Sequence, residues 1–172
     1  MSQNAVFCIA DSETQARLIV ENIYAEGFPL DDISVIFSDR SGNKDLAHKK
    51  TSKAPEGATA GAGTGGLLGG TLGLLAGIGS LAIPGLGPFI AAGPIMAALS
   101  GAAVGAAVGG IAGGLVGMGI PEYEARLYEG KIVTGNILIC VHAENNEEKD
   151  VIMDIYRKGN ARDISATKEV AV

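Results

Sequence analysis

"CIADSETQARLIVENIYAEG" at residues 8–27 returns as "CVHAENNEEKDVIMDIYRKG" at residues 140–159. A constant offset of 132 sets Cys8 on Cys140, Ile23-Tyr24 on Ile155-Tyr156 and Gly27 on Gly159. Dropping one residue brings Asp32-Ile33-Ser34 onto Asp163-Ile164-Ser165. Each copy carries the signals of a β-α-β unit. "AVFCIA" and "ILICVHA" are short apolar runs of strand character. Ser12 with Gln15, and Asn145 with Glu148, have capping-box spacing at a helix start. Ala16, Ile19, Val20 and Ile23 line one helical stripe, as Val151, Ile152 and Ile155 do in the second copy. Gly27 and Gly159 stand where left-handed helix stops belong. "DISVIF" and "DISATK" follow as second strands.

Two such units in one chain make a four-stranded antiparallel sheet with two helices on one face, the split-βαβ arrangement. The expected fold is therefore α+β, a ferredoxin-like domain of duplicated βαβ halves. Its first and third strands are central neighbours, which buries Cys8 and Cys140 close together. Reduced core thiols are the first reading of that pair, and a disulfide is the alternative. "PEYEARLYEG" (121–130) reads as a short helix leading into the third strand, opened by Pro121. One sheet face is left needing a cover.

Charge divides the chain more sharply than its average shows. The net charge is −6 and the mean hydropathy +0.29. Between Gly57 and Pro121 there is no Asp, Glu, Lys, Arg or His, and this window holds 21 of the 26 glycines. Three pieces follow: a discontinuous α+β domain from 1–40 and 121–172, a polar linker at 41–56, and an uncharged insertion at 57–120 between strands two and three. An acidic balance without a basic face excludes a nucleic-acid binder. "MSQNAVFCIADSE" carries no secretory leader pattern.

Within the insertion, glycine recurs every fourth residue at Gly57, Gly61, Gly65, Gly69, Gly73 and Gly77. It recurs again at Gly101, Gly105, Gly109, Gly113 and Gly117, with Gly93 in phase ahead of them. That spacing draws a glycine stripe along a helix, whose use is close backbone approach to another helix. "SLAIPGLGPFIAAGP" (80–94) reads as a turn. The halves 57–82 and 95–119 then form a glycine-zipper helical hairpin, and these glycines are the expected packing and oligomerisation residues. Ten glycines between 57 and 79 disfavour an exposed helix by about 8–10 kcal/mol relative to alanine. Lipid offsets that by forcing the backbone to bond to itself; packing against other copies offsets it by contact. The length favours a membrane-inserted or membrane-associated hairpin, with Lys49, Lys50 and Lys53 keeping both ends cytoplasmic. No Trp or Tyr occurs in 57–121. That absence favours the alternative, a soluble homo-oligomeric scaffold or shell-like assembly with the hairpins in a shared apolar core. A pore is disfavoured because the hairpin offers no polar lining.

Other signals carry little chemistry. "GAGTGG" (61–66) matches G-x-G-x-x-G but lacks the preceding strand and following acid of a dinucleotide site. His48 reads as solvated and His142 as a strand-end residue near Glu144 or Glu147. Tyr24 and Tyr156 read as equivalent packing residues. "ENNEE" (144–148) suits a helix start. No catalytic, cofactor, metal or small-molecule site is expected.

The N-terminal "VFCIADSETQARLIVENIYAEGFPLDDISVI", the "LAIPGLGPFIAAGP" turn and the "GIPEYEARLYEGKIVTGNILICV" exit together resemble the bacterial general-stress and heat-induced stress proteins with a glycine-zipper region. The resemblance spans nearly the whole chain. It implies a non-enzymatic, stress-linked protein whose partners are its own copies and a membrane, at the cytoplasmic face of the bacterial inner membrane or, alternatively, in the cytoplasm.

Overall fold

A computed structural model describes residues 4–38, 79–83, 87–92 and 103–168. Six strands form one antiparallel sheet: β1 (Asn4–Ala10), β2 (Ile33–Ser38), β3 (Gly79–Ile83), β4 (Gly87–Ala92), β5 (Ile137–Ala143) and β6 (Arg162–Lys168), in the order β3-β4-β2-β5-β1-β6. Four helices accompany it: α1 (Glu13–Ala25), α2 (Ala103–Gly117), α3 (Glu122–Val133) and α4 (Asn146–Lys158). The α+β class and the central pairing of β1 with β5 agree with the sequence reading.

β1 is buried along its whole length because its two side-chain rows enter two different cores. Val6, Cys8 and Ala10 pack beneath α1 and α4, against Ile19, Ile23, Ile152 and Tyr156. Ala5, Phe7 and Ile9 face α2 and α3, against Ile111, Leu115, Tyr128 and Ile132. The body is thus three layers, helices on both sides of the sheet. The face that the sequence left open is covered by α3 and by part of the glycine-rich insertion.

The register between the two β-α units departs from the expected one by a residue. α1 and α4 are both 13 residues long, and their caps, Ser12 and Asn145, lie 133 apart. The left-handed residues that follow them, Gly27 (φ 100) and Asn160 (φ 55), are also 133 apart. At that offset Ile23 matches Tyr156, and both are fully buried, whereas Tyr24 is 58% exposed. Tyr24 and Tyr156 are therefore not equivalent. Val151 likewise lies outside the apolar stripe, 41% exposed, and Tyr156 takes its place. Cys8 and Cys140 are not a facing pair either. Cys8 stands opposite Ile139 and Cys140 opposite Phe7, so their side chains lie on opposite sheet faces. Both thiols are buried and unbridged.

Gly159 ends α4 at φ −77, so it is not the left-handed stop that its position implied. Its reason is space: a Cβ there would come within 2.7 Å of Ile19 Cγ1. Gly159 lets the end of α4 lie on α1.

The insertion differs most from its sequence reading. The stretch expected as a turn, 80–94, contains β4 and most of β3. β4 pairs with β2 from Val35↔Ala92 to Ser38↔Phe89, and β3 pairs with β4. An apolar run without charge satisfies its backbone by extending the sheet. The helix expected over 95–119 is α2, broken at Gly110 (φ 63, ψ −153). The charge boundary at Pro121 consequently does not coincide with the edge of the core. The expected first helix, apart from its last residues, and the linker at 41–56 lie outside the described residues.

Gly159→Ala should destabilise the fold by about 1–3 kcal/mol, because buried Ile19 has to move. Gly130→Ala, inside α3 with nothing within 4 Å of the new Cβ, should stabilise by about 0.5–1 kcal/mol. Urea unfolding midpoints of the two variants test this pair of opposite signs.

Candidate functional site

Of the glycines expected to pack helices, Gly57, Gly61, Gly65, Gly69, Gly73, Gly77, Gly93 and Gly101 lie outside the described residues. Gly105, Gly109, Gly113 and Gly117 fall on α2. Past Gly110 the helix docks through Ile111, Ala112 and Leu115, which are buried in the core shared with the sheet and α3, and Gly117 is exposed with no described atom within 4 Å of where a Cβ would stand. Among the described residues, then, Gly117 makes no close helix contact. Three glycines in 111–117 disfavour that half of the helix by about 3 kcal/mol relative to alanine. Burying Ile111 and Leu115 returns about 3–6 kcal/mol, so docking is what holds it helical.

The break at Gly110 frees an N–H that a continuous helix would satisfy. A carboxylate from the neighbouring helix takes it: Ile111 N–H donates to Glu129 Oε1 at 3.1 Å. The segment ends at Gly119 (φ 93), with Ile120 N–H returning to the Leu115 carbonyl at 3.2 Å. Thr167 Oγ1 donates to the Gly119 carbonyl at 3.0 Å. Sequence reasoning passed over Gly110, Glu129 and Thr167. Only Gly119 carried a visible cue, a glycine stop before an apolar residue and a proline.

The two sheet edges are built differently. β6 carries Arg162, Asp163 and Lys168, and its pairing with β1 slips between Phe7 and Ile9 where Asp163 takes φ 47. Lys131 Nζ meets Asp163 Oδ2 at 2.6 Å, and Arg162 meets Asp11 at 2.8 Å. Charges, a bulge and ion pairs guard an edge against adding further strands. β3, "GSLAI", has no charge, and among the described residues it pairs only with β4.

Three of the groups with displaced proton affinity, Cys8, Tyr128 and Tyr156, are core groups. Burial pushes the Cys8 thiol well above its ordinary range, outweighing the opposing influence of the nearby Tyr156 hydroxyl. Burial likewise raises Tyr156, whose hydroxyl donates to the Val6 carbonyl at 3.1 Å. Tyr128 is raised by burial too; its hydroxyl donates to the Asp163 carbonyl at 2.8 Å and lies 2.7 Å from Ser165 Oγ. These groups stay protonated at neutral pH and tie helices to strands. Burial raises the Asp32 carboxyl, while His142 pulls it the other way. His142 Nδ1 lies 3.4 Å from the Asp32 carbonyl.

An open groove of about 430 Å³ runs between the start of α1 and the end of α4, past Ser12, Leu18, Asn22 and Lys158. Several of its polar groups are engaged internally. Ser12 Oγ accepts from Gln15 N–H, Gln15 Nε2 donates to the Gly159 and Asn160 carbonyls, and Lys158 pairs with Asp154 at 2.6 Å. Among the described residues no three His, Cys, Asp or Glu side chains cluster as metal ligands, and no helix is long and apolar enough to cross a membrane. Comparison with known proteins returns no matching family model, no matching curated protein and no matching solved structure.

Leu115→Ala should destabilise the body by about 2–5 kcal/mol through the cavity it leaves. Gly117→Ala should be neutral or slightly stabilising, because the methyl enters open space. Thermal unfolding of both variants checks the docking; a larger loss from Gly117→Ala than from Leu115→Ala would reverse the assignment.

Proposed function

We propose that this chain is a non-enzymatic protein that assembles with copies of itself. A charged α+β body carries an uncharged, glycine-rich segment that joins one copy to the next. The observation that carries this reading is the contrast between the sheet edges. β6 is blunted by charge and a bulge, whereas β3 comes from the uncharged window and presents nothing that would repel a second β3. A strand paired antiparallel with its own copy closes a two-fold contact. The glycine stripes supply a second contact of low side-chain bulk. The strand order β2-β5-β1-β6 and the 133-residue offset support reading the body as a ferredoxin-like duplication. Its buried Cys8, Tyr128 and Tyr156 serve packing, which supports a structural role.

A second reading, membrane association at the cytoplasmic face of a bacterial inner membrane, is favoured by one observation. Residues 57–78 are 22 in number and uncharged, enough to cross a bilayer once as helix. The run 95–110 ahead of the break has 16 residues, too few, so the two-helix spanning hairpin is the weaker version. The sequence resemblance supports a stress-linked setting for either reading.

Light scattering on the purified full chain should give a mass of at least two copies at micromolar concentration. Ser80→Lys with Ala82→Lys, which sets like charges across a β3–β3 contact, should lower that mass, and Gly109→Leu should do so if the glycine stripe is also used. A monomer at all concentrations overturns the self-assembly reading. Flotation of a lysate with lipid, followed by survival of an alkaline carbonate wash, would put the membrane reading first.

A further inference from the structure

Residues 111–118 lie between two glycines of positive φ, Gly110 at 63° and Gly119 at 93°. With ψ −153, Gly110 occupies backbone space that is essentially glycine's alone. The segment is fastened at its start by the Glu129 carboxylate on the Ile111 N–H, and at its end by the Thr167 hydroxyl on the Gly119 carbonyl. Between these points Ile111, Ala112 and Leu115 hold the sheet, while Gly113, Gly114 and Gly117 add no side chain. The neighbouring α3 is anchored separately, by buried Ala125, Tyr128 and Ile132 and by the bonds from Tyr128 to β6.

We propose that 111–118 is a releasable strap that swings on Gly110 and Gly119, with Glu129 and Thr167 as its two latches. Its departure opens the side of the core that it shares with Ile9, Leu138 and Cys140, while α3 stays in place over Phe7. Once released, Gly110 adopts helical dihedrals and joins the strap to residues 103–109 as one uninterrupted helix. The docked strap and the continuous helix are thus two states of one glycine-rich segment. This inference stands on the body of the protein and does not depend on how copies associate.

The two thiols provide the test, because they sit under different layers: Cys8 beneath α1 and α4, Cys140 beneath α2 and α3. Cys8→Ser leaves only Cys140 to react with a small thiol reagent, and Cys140→Ser leaves only Cys8. In the folded full chain, Cys140 should label faster than Cys8. Glu129→Ala should accelerate Cys140 by about tenfold, the effect of a lost helix cap, and leave the Cys8 rate unchanged. Glu129→Gln, which keeps an oxygen to accept the Ile111 N–H, should restore most of the slow rate. If Glu129→Ala does not fold, Thr167→Val supplies the same comparison from the other latch. Equal labelling of the two thiols, or equal acceleration of both, would mean that the face opens only by global unfolding and would overturn the strap. A Cys140 rate indifferent to Glu129 and Thr167 would overturn the latches.

Discussion

Everything in the body follows from the two central strands having no polar face. β1 and β5 turn apolar side chains in both directions, so one helical layer cannot suffice. α1 and α4 supply the first layer from within the repeated units. The second has to come from elsewhere in the chain, and α3 with the end of α2 provides it. Phe7 lies against Tyr128 with ring centroids 6.1 Å apart, and Tyr128 reaches across to the β6 backbone. The glycine-rich insertion is for this reason not merely carried by the body. Its last turns are part of the hydrophobic core.

That arrangement gives α2 two different ends. Past Gly110 the helix is held by Ile111 and Leu115; before it, the sequence offers alanine, valine and glycine with no charge to favour water. A helix of such low propensity takes the shape its surroundings reward. The break at Gly110 divides the helix in two, and a carboxylate supplied by α3 takes the N–H that the break leaves without a helical partner.

Much of the body was legible because local rules agreed with one another. The Ser12 and Asn145 caps, the stripe Ala16-Ile19-Val20-Ile23 and the strand runs all fell where the sequence put them. The two β-α segments match structurally at an offset of 133; the sequence suggests 132, because identical letters (Cys8 with Cys140, Tyr24 with Tyr156) outweigh the caps at Ser12 and Asn145. In a strand a single-residue slip exchanges faces, which is why the thiols part company. The insertion was read by its glycine period alone. A period of four says which residues would share a helix face, and nothing about whether that backbone becomes helix at all. "GSLAI" and "GPFIAA" are as compatible with an added pair of strands, and the sheet edge at β2 was there to accept them. The Glu129 cap left no trace in sequence because it joins residues on different helices.

The wiring of β1 also governs how the chain is made. Its partners, β5 and β6, both lie 127 or more residues downstream, with Asn4 opposite Ala143 and Lys168. At about 5–20 residues per second, a ribosome needs on the order of 10 seconds or more to reach them. Throughout that interval the most completely buried strand of the body has no mate, and the uncharged window emerges beside it. Long-range antiparallel pairing of this kind also folds slowly once complete. Until its last strand has been made, the chain must therefore keep β1 and the uncharged window from pairing with other chains.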